Sequence, residues 1–247
     1  MKSIAVILGL ALSTMTTLHA SELKLIAGGS LTGLFKELGP QFEKTTGHTL
    51  SIHFDSTPNI ITRINSGAPF DMAVVPADVF KDAAAKSHFA SGPTVDIARV
   101  GYGVIVRTGA PKPDISTSDA FRKTLLDAKS VASVPASAAG AYITGVYDRL
   151  GIGEDMKMKT KIQSAPTGIA PAVAKGEAEL GIFLISVFNA PGVELVGPFP
   201  ADLQQELQFT AAIAANTKEP DAAKAFIDYL KTPAVTAAIK AAGMNPG

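Results

Sequence analysis

Leu23-Lys24-Leu25-Ile26-Ala27-Gly28-Gly29-Ser30-Leu31-Thr32 is the stretch that decides the fold. Leu23 to Ala27 reads as a strand, and Gly28 to Thr32 leads into a helix that runs to about Thr45. The pattern repeats at once. Thr49 to Phe54 is strand-like, and Asp55-Ser56-Thr57-Pro58-Asn59 opens the next helix. The first amides of a helix have no intrahelical partner and sit at the positive end of its dipole. Two such starts, both carrying hydroxyls, at the ends of adjacent strands form a receptor for a small anion. A parallel sheet places them on one rim.

Outward from this junction the chain keeps alternating. Further strands are expected at Met72 to Val75, Gly103 to Arg107, Val131 to Val134, Leu180 to Leu184, Val193 to Val196 and Phe209 to Ala215. Helices are expected at Ile60 to Ser66, Ala77 to Lys86, Ser116 to Asp127, Gly140 to Leu150, Gly168 to Gly176, Asp221 to Lys231 and Ala234 to Ala242. Strands separated by helices of this length predict an α/β protein with mostly parallel sheets. Glycine- and proline-marked connections at Arg99 to Gly103 and at Pro191 to Pro200 suggest two crossings between lobes. The expected organisation is a first lobe of residues 21–100 and 197–247, with residues 101–196 inserted as a second. Two crossing strands then make a hinge, and the cleft between the lobes is the binding site. A single doubly wound domain is the alternative.

Within that cleft, Gly29 allows close approach of a ligand, and Ser30 offers both an amide and a hydroxyl. Ser56 and Thr57 repeat the arrangement, although each hydroxyl would equally serve as an ordinary helix cap. The second lobe supplies Ala136-Ser137-Ala138-Ala139 ahead of a helix, and Thr167 in a loop that precedes another. Phe183, Leu184 and Ser186 close the next strand and read as a cleft wall or as core. Arg63, Arg99 and Arg107 are the cationic candidates, because a guanidinium fork suits a carboxylate.

Composition excludes several chemistries. The chain of 247 residues has no Cys, so disulfides and thiolate sites are ruled out. Its 22 basic and 22 acidic residues balance, which lacks the basic footprint of a nucleic-acid binder. Residues 1–20 read as a secretory signal peptide: Lys2, an apolar run from Ile4 to Leu12, and a polar shoulder before Ala20. A buried N-terminal helix is the competing account. His48, His53 and His88 lack metal-ligand spacing, so no metal or cofactor is expected. There is no nucleophile elbow or phosphate-cradling loop.

Gly28-Gly29-Ser30-Leu31-Thr32, Phe54-Asp55-Ser56-Thr57, Gly67-Ala68-Pro69-Phe70-Asp71 and Gly176-Glu177-Ala178-Glu179-Leu180-Gly181-Ile182 together carry a resemblance. The mature chain resembles the periplasmic molybdate-binding, type II extracellular solute-binding proteins of bacterial ABC transporters. The resemblance implies a two-lobed Venus-flytrap protein of the periplasm, a monomer that closes on a small anion and delivers it to a permease. It places oxyanion hydroxyls on Ser30 and on Ser56 or Thr57, and a backbone contact near Ala136 to Ala139. The tyrosine hydroxyl usual in molybdate binders would fall at about Leu184, which has no donor; this departure points away from molybdate and towards a carboxylate. The same superfamily contains a periplasmic aconitate isomerase, so interconversion of cis- and trans-aconitate is the alternative function. The resemblance supplies no catalytic residues that map onto this chain.

Overall fold

Leu34, Phe35, Leu38 and Phe42 recur at helical spacing and form the buried face of a helix. The computed structural model, which describes residues 20–247, places them on α1 (Thr32–Thr46), packed over β1 (Glu22–Gly28). The export segment expected over 1–20 lies, Ala20 apart, outside the described residues. β1 is buried on both faces from Leu25 to Ala27, as a central parallel strand must be. It runs parallel to β2 (Thr49–Asp55) on one side and to β3 (Met72–Pro76) on the other. α2 (Thr57–Asn65) buries Ile60 and Ile64 against the opposite face, beside Val79 and α3 (Ala83–Ser87).

The thirteen-residue β4 (Val95–Arg107) leads into the second half of the fold. There follow α4 (Ser118–Asp127), β5 (Val131–Ser133), α5 (Ala138–Arg149), α6 (Gly153–Lys159), β6 (Thr160–Ile162), α7 (Ile169–Ala174), β7 (Leu180–Leu184) and β8 (Val193–Pro198). The chain then returns through β9 (Glu206–Ile213), α8 (Pro220–Leu230), α9 (Pro233–Ala241) and β10 (Asn245–Pro246). The sheet order is β2-β1-β3-β9-β4-β7-β5-β6, with β8 and β10 also on β4. Pairings at the two flanks are parallel, and those that involve the crossing strands are antiparallel. This is a two-lobed α/β fold joined by crossing strands.

The crossing is longer than the sequence predicts. β4 begins at Val95 rather than Gly103, because a register shift between Asp96 and Ala98 breaks the alternation that would have marked it. Its first half pairs with β9 as far as Gly101, and its second half with β8 from Gly103 onward. Tyr102 falls in the gap between them. There the Gln204 carboxamide accepts from the Tyr102 N–H and donates to the Tyr102 carbonyl, both at 2.9 Å. The Phe199 N–H, just past β8, also donates to that carbonyl at 3.0 Å, so the side chain is needed chiefly for the Tyr102 N–H, which neither strand meets. The return path is β8, a link over 199–205, and β9, rather than one strand. α6 and β6 are additional to the expected elements.

Candidate functional site

The carboxyl ends of β1 and β2 deliver Gly29, Ser30, Ser56 and Thr57 to one cavity of about 20 Å³. A short 3-10 turn over Gly29–Leu31 precedes α1, and Ser30 lies inside this turn rather than at its cap. Ser56 is the N-cap of α2 with extended backbone (φ −72°, ψ 157°), yet its side chain makes no cap hydrogen bond. Its hydroxyl is therefore not consumed by the helix. The opposite lobe contributes the start of α5. There Ser137 accepts from the Gly140 N–H at 2.9 Å and donates to the Val134 carbonyl at 2.8 Å. That hydroxyl is a structural cap, whereas Ala138 and Ala139, in the first turn of the helix, line the cavity wall.

The two lobes meet directly across this cavity. The Ala138 N–H donates to Thr57 Oγ1 at 3.4 Å, and Thr57 is buried. A Cβ on Gly29 would lie 3.4 Å from both the Asp55 carbonyl oxygen and Pro166 Cδ, in van der Waals contact with both lobes at this turn. Phe183, Leu207 and Phe209 supply apolar wall.

Eight of the sequence-predicted positions line the cavity: Gly29, Ser30, Ser56, Thr57, Ser137, Ala138, Ala139 and Phe183. Three do not. Ala136 is exposed, one residue too early for the helix start. Thr167 lines a neighbouring cleft with Ser186. Leu184 is fully buried in the core and pairs with Tyr102 in the ladder. Successive strand residues face opposite sides, so only one of Phe183 and Leu184 can meet the cleft. Neither carries a donor.

Asp55 was not among the sequence candidates, and it is the one charged residue lining the cavity. Its Oδ1 accepts from the Ser56 amide at 2.7 Å and from Asn59 Nδ2 at 2.8 Å. His53 Nε2 lies 3.4 Å from Oδ2. The signal available in sequence was an Asp directly before a helix cap, a position that commonly bonds nearby amides. Of the arginines, Arg99 lies 3.9 Å from Glu206 and reaches the Pro246 carbonyl, Arg107 is an exposed strand end, and Arg63 sits in the last turn of α2. None lines the cavity. The donors at the cavity are amides, hydroxyls and helix starts, and the one charge there, Asp55, is acidic. Among the described residues no group of three or more His, Asp or Glu could hold a metal ion, and no helix is long and apolar enough to cross a membrane.

Known proteins resemble this chain in sequence and in fold. The chain is 32% identical to an aconitate isomerase from Pseudomonas sp, over 97% of this chain and 95% of that protein. It is 29% identical to a molybdate-binding protein from Azotobacter vinelandii, over 91% of this chain and 90% of that one. The solved structure of an Azotobacter vinelandii periplasmic molybdate-binding protein superimposes with a TM-score of 0.75 at 22% identity, covering 90% of this chain and 98% of that one. The family model described as bacterial extracellular solute-binding protein matches residues 23–245, and the chain belongs to that family.

Proposed function

We propose that this chain is an exported, monomeric receptor that closes two lobes on a small oxyanion or organic carboxylate and presents it to an ABC permease. The lobes in this reading are residues 21–100 with 197–247, and residues 101–196. One observation carries it: Ser30 and Ser56, the latter with its hydroxyl uncommitted to a cap, line a single cavity with Ala138 and Ala139 at the start of a helix of the other lobe. Family membership and the molybdate-binding relatives support it. The test is a ligand panel read by thermal shift and calorimetry. Molybdate, tungstate, sulfate, phosphate and mono-, di- and tricarboxylates are the probes. Ligand at a hundredfold its Kd should add about 2.7 kcal/mol of apparent stability. Absence of any stabilising anion would overturn the reading.

A second reading is isomerisation of aconitate. The 32% identical relative favours it, as does the pairing of His53 with Asp55 at the cavity margin. Interconversion of cis- and trans-aconitate is a 1,3-proton shift: a base takes a proton from the methylene carbon, the double bond migrates, and the proton returns to the other carbon. No redox partner or cofactor is needed. Chromatography after incubation with trans-aconitate decides it. Many turnovers per protein would establish the isomerase, and unchanged substrate would eliminate it.

A further inference from the structure

We infer that the anion cavity is the head of a larger, two-compartment site, whose second compartment takes the hydrogen-bond-donating end of an organic monoanion. The inference rests on the anion-receptor reading above and deepens it. Three observations lead to it.

The first is contiguity. Gly29 and Ser30 wall the small cavity on one side and a cleft of about 380 Å³ on the other. That cleft lies between α1 and α9 of one lobe and the α7 and Ile185–Phe188 segments of the other. Its volume falls in the range of about 300–1,000 Å³ typical of small-molecule sites. The head cavity, at about 20 Å³, holds little more than one small group, so the rest of any organic ligand must extend elsewhere.

The second observation is an unspent polar atom. Ser186 lines the larger cleft, and its Oγ is buried without a hydrogen-bond partner. A buried hydroxyl without a partner is costly and rare in a folded protein. A χ1 rotation that turns this hydroxyl into the cleft would let a ligand group there satisfy it. Thr167, which failed to reach the head cavity, lies in the same cleft.

The third is charge. Glu37 is the one charged residue lining the larger cleft, and no Lys, Arg or His lines either compartment. A second carboxylate entering it would face Glu37 with no cation to offset the repulsion. A hydroxyl or an ammonium group would instead donate to Glu37 or to Ser186. The chemical class is therefore an organic acid with one carboxylate and a donor several bonds away.

The probes are butyrate, 4-hydroxybutyrate and 4-aminobutyrate, with molybdate and trans-aconitate alongside. Calorimetry on the wild-type protein should find each donor-bearing acid at least about fivefold tighter than butyrate, the effect of one net hydrogen bond. In Ser186→Ala and in Glu37→Gln that ratio should fall below about twofold for at least one of the donor-bearing acids. Glu37 is exposed, so its variant folds, and each ratio is read within a single folded protein. Equal affinity for butyrate and both substituted acids would overturn the inference. So would an unchanged ratio in both variants, or trans-aconitate binding tighter than the monoanions. Failure of the receptor reading has a different signature, in which Ser30→Ala leaves the affinity of every ligand, molybdate included, unchanged. If none of the probes binds, both fall.

Discussion

Ser56→Ala and Ser137→Ala remove the same atom from the start of two long helices, and the structure assigns them opposite consequences. Ser137 spends its hydroxyl on two bonds, one from the Gly140 amide and one to the Val134 carbonyl. Its removal should cost the ligand-free protein about 1–2 kcal/mol, the range for a working N-cap. At this chain length that is a Tm loss of about 2–8 °C. Ser56 makes no cap bond, so its alanine variant should lose less than about 0.5 kcal/mol, or about 2 °C. With ligand the order reverses. A hydrogen bond to a charged group is worth about 1.5–3 kcal/mol, so Ser56→Ala should weaken binding by about tenfold to a hundredfold. The assay is a pair of thermal melts, with and without saturating ligand, and calorimetric titration of both variants. The reasoning is refuted if Ser56→Ala destabilises the free protein as much as Ser137→Ala does, or if its affinity stays within about twofold of wild type.

Gly140 has no room for a side chain, since a Cβ would sit 2.0 Å from the Val134 carbonyl oxygen and 2.6 Å from Pro135 Cα. Gly140→Ala should cost about 3 kcal/mol in urea denaturation and also weaken binding by displacing the start of α5; a loss under about 1 kcal/mol contradicts the packing. Gln204→Leu strips the Tyr102 N–H of its partner on a buried strand and leaves the carbonyl with the Phe199 N–H alone, for a loss of about 2 kcal/mol in the same assay, whereas an unchanged midpoint would show that the clasp is dispensable. Burial raises the phenols of Tyr147 and Tyr102 well above the ordinary value of 10, with the neighbouring Tyr142 and Asp78 adding to the effect at Tyr102. The folded state then keeps protons that the unfolded chain releases, so stability falls as pH rises above about 10. Ultraviolet titration should find these two phenols un-ionised until the chain unfolds, and ionisation near pH 10 with native circular dichroism would count against it.

What could be read from sequence followed the strength of local periodicity. β1 and α1 were legible because Leu34, Phe35, Leu38 and Phe42 repeat at helical spacing behind a short apolar strand. β6 was not, because an edge strand with Lys161 and Ile162 both exposed has no buried face to produce alternation. α6 buries only Met156 and otherwise reads as charged loop. The site divided in a similar way. Glycine and proline flanked the helix starts, so the hydroxyl positions could be named. Whether a hydroxyl caps its own helix depends on side-chain rotamer and local backbone, and these separate Ser56 from Ser137 only in three dimensions. Phe183 and Leu184 could not be told apart either, since every residue of β7 is buried and the strand carries no sign of which face meets the cleft.

The absence of cations around the cleft bears on the choice between the two functional readings. A helix start presents roughly half an elementary charge. The α2 and α5 starts and the turn into α1 converge on the cavity, so together they oppose about one and a half negative charges. The Asp55 carboxylate on the same wall offsets about one of these, and the remainder suits the single charge of a carboxylate whose oxygens are also held by neutral hydroxyls. It does not match a tricarboxylate at neutral pH. Each further carboxylate would lie in a cleft whose charged side chains, Asp55 and Glu37, are both acidic. Like charges about 6 Å apart repel by roughly 3 kcal/mol at an effective dielectric of about 20, less where solvent reaches Glu37. An aconitate isomerase on this chain would therefore need lobe opening to bring a cation such as Arg63 or Arg99 to the substrate, and the bonds that hold Arg99 to Pro246 and near Glu206 would have to break first. The receptor reading requires no such rearrangement, because Ser30, Ser56 and the start of α5 already line the cavity.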